Sequence, residues 1–338
     1  MDNKGLTICS VCYKSYLFIW ENIKLTGKLN ANSPYAIHWR ISDNTPIAER
    51  LGNAEKHAQM IVNCQKRTTL EWLEGFDPAM FAGNDSLHHS AALNFLLKEV
   101  QTRYLLIIDP DFFALTPHWI STFIDQIQST KIGVIGAPVN PKWHMTQRSS
   151  PSVYFLLVDR TAIDITQIDF SPKVWINPSK PHRDAPDILT RLKIALRKIL
   201  IPLDGLFWGL YNRKYIGRGR DTGSGLGDII SSRGLKYHRL TPVFRPQDDL
   251  PSPSFWWRFG DIFYPDSKRF VPRKTNFFST RGFREANSTD FRSLGCEEYL
   301  WEGHPFGVHF RGHPKRNDLN LASDQKAFIE AINRYTAQ

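Results

Sequence analysis

Residues 105–113 read LLIIDPDFF, four aliphatic residues running into Asp109 and Asp111 with Pro110 between them. A carboxylate without a partner is expensive to bury, and two at the end of one apolar run also repel each other. A divalent cation removes both penalties, because paired carboxylates supply the hard oxygen ligands that Mg2+ and Mn2+ take. Pro110 fixes φ and donates no hydrogen bond, so it holds the pair rigidly at a strand terminus. Residues i and i+2 of extended chain face the same side, which predicts both carboxylates on one wall. The bland reading of the same tripeptide is one aspartate capping a turn and the other lying in solvent.

Other stretches carry groups of comparable chemistry. RGRDTGSGLGDIISSRG (218–234) offers Asp221 and Asp228 in a glycine-rich turn leading into a helix. Either carboxylate can serve as a general base, and the same segment can be no more than an N-cap on a phosphate-cradling loop. GHPFGVHFRGHPKR (303–316) sets His304, His309 and His313 beside Arg311, Lys315 and Arg316. The histidine spacing could suggest a zinc site, but the intervening glycines and prolines oppose a regular helix presenting it. Cys9 and Cys12 form a C-x-x-C inside LTICSVCYKS, an apolar run that reads as a buried strand, and no second such pair exists. With only Cys64 and Cys296 besides, the thiols read as structural. Trp256 and Trp257 suit sugar stacking, a membrane interface or an ordinary core.

The elements that must position these groups follow from hydrophobic patterning. LTICSVCYK (6–14) is a short apolar strand, followed by a helical pattern over Tyr16–Leu25. YAIHWRISDN (35–44) predicts a second strand and MIVNC (60–64) a third. SLHHSAALNFLLKEV (86–100) has the helical period, with Ser86 as its cap, and YLLIID (104–109) follows as a strand. KIGVIGAP (131–138) and SVYFLLVD (152–159) predict further buried strands. Strands alternating with helices imply an α/β fold, a mixed and largely parallel sheet flanked by helices. Ligands of such sheets bind at the carboxyl ends of the strands, where Asp109 and Asp111 stand.

After residue 160 the chain turns proline-rich and basic. DILTRLKIALRKILIPL (187–203) predicts an amphipathic basic helix, able to lie on an anionic membrane or to pack on the body with its basic face solvated. Beyond 245 the sequence is rich in aromatics, proline and arginine, which predicts a main domain over 1–245 and a C-terminal extension over 246–338. The 338 residues carry 43 Lys+Arg against 33 Asp+Glu, a net charge of +10 that favours anionic and phosphorylated partners. The basic residues are dispersed and accompany no nucleic-acid module, so nucleic acid is not the expected partner. MDNKGLTICS carries Asp2 where a secretory leader is basic, and no apolar run is long enough to span a bilayer. The expected location is the cytoplasm, with peripheral contact on the inner face of the membrane through 187–203.

HHSAALNFLLKEV followed by YLLIIDPDFF resembles the nucleotide-sugar-binding half of family 2 inverting glycosyltransferases of the GT-A fold, over roughly residues 5–165. The resemblance implies that the loop after the first strand touches the base, although only Tyr13 survives of the family's Pro-Thr-Tyr-Asn run. It implies that Asp43 in ISDN contacts the nucleobase, and that Asp109 and Asp111 hold the ribose and the metal-bound diphosphate, with Mn2+ or Mg2+ on Asp111. Asp221 resembles the base at the head of the acceptor helix, followed here by Thr-Gly instead of Glu-Asp, with Asp228 in reserve. His309 in VHFRG matches the histidine that returns to the metal in many GT-A enzymes, and Arg311 or a neighbouring lysine would neutralise the departing diphosphate. The implied activity is transfer from a nucleoside-diphosphate sugar to a hydroxyl on a glycan or lipid-linked acceptor, in cell-surface polysaccharide or glycolipid synthesis. Two rivals remain. A sugar-phosphate nucleotidyltransferase would carry a glycine-rich basic loop after the first strand, and CYKSYLF has no glycine. A non-enzymatic polyanion-binding module would use the charge alone and lose affinity steeply with salt.

Overall fold

The computed structural model describes residues 5–81, 85–138, 151–163, 168–171, 232–245, 278–310 and 318–337, together with positions 222, 223, 226, 229 and 230. The expected helix at 187–203, the tryptophans at 256 and 257, and Asp221, Asp228 and Arg311 lie outside the described residues.

β1 (Gly5–Cys12) is buried at every position, as a strand flanked on both edges and covered on both faces must be. It pairs in parallel with β2 (Ala36–Asp43) and with β4 (Tyr104–Ile108), and β3 (Thr68–Glu74) pairs in parallel with β2 at the sheet edge. Beyond β4 lie β7 (Pro151–Asp159), β6 (Val134–Pro138) and β8 (Tyr237–Arg239), giving the order β3-β2-β1-β4-β7-β6-β8. Only β7 runs against its neighbours, so the sheet is mixed and largely parallel, as the patterning predicts.

Helices α1 (Tyr16–Leu29), α2 (Ala54–Asn63) and α4 (Trp119–Thr130) cover one face, burying Ile19, Ile23, Ala58 and Phe123 against Leu6, Ile8 and Leu106. Helix α3 (Asp85–Leu97) covers the other with Ala92, Leu93 and Leu96 against Cys9, Leu105 and Ile107. Strand alternation therefore sends Cys9 and Cys12 into opposite cores, both as free thiols. Burial pushes each thiol up to about 12, which removes the thiolate that redox or metal chemistry needs.

MIVNC does not form a strand. It ends α2, whose Ala54, Ala58, Ile61 and Val62 meet the core at helical spacing while Met60 points outward, 67% exposed. The third strand is TTLEWLE, whose half-exposed edge position leaves it without a clean apolar run.

A second, antiparallel sheet has the order β5-β11-β10-β9, built from β5 (Phe112–Ala114), β9 (Thr241–Pro242), β10 (Glu297–Trp301) and β11 (His304–His309). It connects the turn after β4 to the C-terminal part of the chain, because Phe112 faces His309 and Ala114 faces Gly307 across the ladder. Gly307 is required by that approach, since a Cβ there would lie 2.9 Å from the Phe113 carbonyl oxygen and 3.1 Å from the Phe112 ring. α5 (Phe283–Asn287) and α6 (Asp318–Tyr335) close a third core in which Phe113, Val308 and Phe310 pack with Phe18, Phe283 and Phe328. Among the described residues no helix is long and apolar enough to cross a membrane.

Glu298 on β10 is wholly buried beneath α5 and accepts the Phe283 N–H at 3.1 Å. Burial pushes its carboxyl from 4.5 to about 7, against the opposing pull of that N–H and of Arg292 and Arg245 and with a small addition from Asp290. The folded protein thus holds this proton more tightly than the unfolded chain, and its contribution to stability, full below pH 4.5, is lost as pH rises through 7. Glu298→Gln is expected to raise the urea-unfolding free energy at pH 8 by on the order of 3 kcal/mol and to change nothing at pH 4. Equal stability of the two proteins at pH 8 would contradict this account.

Candidate active site

The carboxyl ends of β1, β2 and β4 form one edge of the large sheet, and four of the residues singled out above stand there. β4 ends at Ile108, and the next residues turn instead of remaining extended. The Phe112 N–H donates to the Asp109 carbonyl at 3.0 Å, closing a tight turn with Pro110 in the position that its fixed φ suits. The expected same-side pair of an extended strand is therefore a turn. The reason is the immediate switch of the chain from β4 into β5, which belongs to the other sheet. The turn is fastened from three sides. The Asp109 N–H donates to the Tyr154 carbonyl, the Phe310 N–H donates to the Asp111 carbonyl at 2.9 Å, and buried Asn22 of α1 donates to the carbonyls of Pro110 and Phe112 at 3.2 and 2.7 Å.

The turn brings the carboxylates together with His309, which β11 delivers from the far part of the chain. Among the described residues, one ligand atom each from Asp109, Asp111 and His309 lie within 4.8 Å of one another. His309 Nε2 is 3.3 Å from Asp111 Oδ1. The aspartates are part-exposed and the histidine is 3% exposed, so the cluster has a buried floor and an open mouth. Behind His309, its Nδ1 lies 3.2 Å from Glu297 Oε2, and the Tyr154 ring stacks on the imidazole at 4.6 Å and 26°. At the rim, His89 of α3 places Nε2 3.7 Å from Asp109 Oδ1. Neither Glu297 nor His89 is distinguishable in the sequence by type or spacing.

Asp43 ends β2 at the same edge, 4% exposed. Its carboxylate accepts the Tyr16 hydroxyl at 3.0 Å and the Thr45 N–H at 3.1 Å, so it fastens the loop that follows it. Tyr13, just past the end of β1, is 48% exposed and meets the His88 ring edge-on at 5.9 Å. His88 Nε2 lies 2.8 Å from Asn44 Nδ2, and Ser42 donates to Asn44 Oδ1 at 2.7 Å. Gly75 makes room for this network, because a Cβ on it would fall 1.9 Å from Asn44 Oδ1. The edge therefore presents an exposed aromatic, a fixed polar loop and the Asp-Asp-His cluster side by side.

No family model matches the sequence, and no curated protein matches it. Solved structures that resemble parts of the chain include a mannosyltransferase from Pyrobaculum calidifontis in complex with GDP-Man and Mn2+. It is 11% identical with a TM-score of 0.35, and the match covers 47% of this chain and 45% of that one. The chain thus spans less than half the length of that enzyme. Mouse xyloside xylosyltransferase 1 in its apo form is 8% identical with a TM-score of 0.38, over 81% of this chain and 95% of that one. The galactosyltransferase LgtC, in complex with donor and acceptor sugar analogues, is 9% identical with a TM-score of 0.39, over 97% and 95%. At such values the case for a function rests on the site.

Proposed function

We propose that the protein is a metal-dependent glycosyltransferase using a nucleoside-diphosphate sugar. The observation that carries this reading is the convergence of Asp109, Asp111 and His309 at the carboxyl edge of the sheet. Two part-exposed carboxylates repel each other across the turn, and a fixed imidazole beside them completes a donor set for a divalent cation. One nitrogen among the oxygens favours Mn2+ over Mg2+, which holds to oxygen and water. The three residues leave one side open, where a diphosphate can complete the coordination. A metal bound there would neutralise charge developing on the departing diphosphate.

The chain's own residues supply the rest of the reading. Tyr13 offers an exposed ring for a base, and Asp43 with Asn44 fixes the loop beside it. Asp109 faces both the cluster and His89, which suits a ribose or sugar hydroxyl. Arg311 follows the end of β11 by two residues, and its permanent charge suits it to neutralise the leaving diphosphate. In the proposed inverting step Asp221 takes the proton of the acceptor hydroxyl. That oxygen then attacks the anomeric carbon opposite the diphosphate, whose bond to the sugar breaks as the new glycosidic bond forms. A glycan or lipid-linked acceptor fits the basic stretch 187–203 and the net charge of +10.

The test is a thermal-shift panel of UDP, GDP and CDP with and without Mn2+. A nucleoside diphosphate at about 100 times its Kd stabilises the fold by about 2.7 kcal/mol, and the shift is expected only when Mn2+ is also present. A folded sample that no combination stabilises would sink the proposal. The anomeric proton coupling of the product, read by NMR, tests inversion separately.

A further inference from the structure

We infer that Glu297 is a positioning residue that fixes the tautomer and the orientation of His309, so that Nε2 is presented to the cation. The inference rests on the metal-site reading above. Glu297 and His309 are direct partners across the antiparallel β10–β11 ladder, so their side chains emerge from the same face and side by side. Both are enclosed, with side-chain exposures of 1% and 4%. A carboxylate so deeply buried is costly unless donors satisfy it. Glu297 Oε2 has two such neighbours, accepting the Tyr299 hydroxyl at 2.8 Å and lying 3.2 Å from His309 Nδ1.

An imidazole that donates from Nδ1 to a carboxylate carries its proton there and keeps the lone pair of Nε2 for a metal. That is the nitrogen facing Asp111, at 3.3 Å. One face of the ring is covered as well. Tyr154 stacks on one face of the imidazole at 4.6 Å, and its hydroxyl lies 2.8 Å from that of Tyr299. Glu297, Tyr299 and Tyr154 thus form a backing that holds the ring by its edge and its face. The next residue, Glu298, points to the opposite side of β10, under α5, and takes no part in this.

Two readouts separate positioning from a role in folding alone. In histidine-labelled, metal-free protein, 15N NMR is expected to show His309 as the Nδ1–H tautomer, and Glu297→Leu to abolish that preference. EPR titration with Mn2+ alone is expected to give a Kd for Glu297→Gln about 10–100-fold weaker than the parent. Tyr299→Phe, which keeps the ring and removes the hydroxyl that joins Glu297 to Tyr154, should shift the Kd in the same direction by less, and it decides the matter if Glu297→Leu fails to fold. An Nε2–H tautomer in the parent would overturn the inference, as would unchanged Mn2+ affinity in Glu297→Gln and Tyr299→Phe. A parent that binds no Mn2+ at all would instead overturn the metal reading, and the tautomer alone would then judge Glu297.

Discussion

Asp111→Asn is expected to weaken Mn2+-dependent binding of a nucleoside diphosphate by about 10^3-fold, beyond the 10–100-fold that loss of an outer partner costs. Asparagine preserves the volume and leaves the backbone bond from the Phe310 N–H to the carbonyl of residue 111 intact. The side chain is 28% exposed, so the fold loses little when its charge is removed. The cation loses a charged oxygen ligand and faces a weaker field in the same cage. A second signature has the opposite sign. Without metal, Asp109 and Asp111 repel each other across the turn, so the variant should melt no lower than the parent, and slightly higher at low salt. Calorimetric titration of GDP or UDP with saturating Mn2+, and a melting curve without it, measure the two effects on one preparation. A variant that keeps the metal-dependent affinity would remove Asp111 from the site.

What could be read from the sequence follows from the range of the interactions involved. β1, β4 and β7 are continuous apolar runs because neighbours and helices bury them on all sides, and such runs can be recognised locally. MIVNC misleads because so short an apolar run fits a strand or the end of a helix equally well, and only the spacing of Ala54 and Ala58 upstream decides. TTLEWLE escapes notice because an edge strand keeps one side wet. The Asp109–Phe112 turn depends on β5, a strand of three residues whose only reason to exist is its partner β11. The sequence sets His309 among three histidines of one stretch, and only the family resemblance separates it from His304 and His313. Nothing local says that residue 309 lies opposite residue 112. Glu297 and Glu298 are adjacent and chemically identical in the sequence, yet β10 sends one to the cluster and the other beneath α5.

Asp221→Asn is expected to lower kcat by about 10^2–10^4-fold while leaving the donor Kd unchanged, the opposite division from Asp111→Asn. The reasoning begins from occupancy. In the proposed reading Asp109 and Asp111 serve the cation and the donor, so a single inverting displacement would need a separate base for the acceptor proton. Asp221 itself is outside the described residues, but Gly223 is not. Its N–H donates to the Phe170 carbonyl at 3.0 Å, its φ is 79°, and a Cβ on it would fall 2.4 Å from Val153. Val153 precedes Tyr154, whose carbonyl accepts the Asp109 N–H and whose ring stacks on His309. Gly223 anchors the segment in a backbone region that favours glycine, against a wall with no room for a side chain. Turnover is read by release of the nucleoside diphosphate and affinity by thermal shift. Undiminished turnover in Asp221→Asn would pass the role of base to Asp228, whose own asparagine variant would then have to show the same separation of kcat from donor affinity.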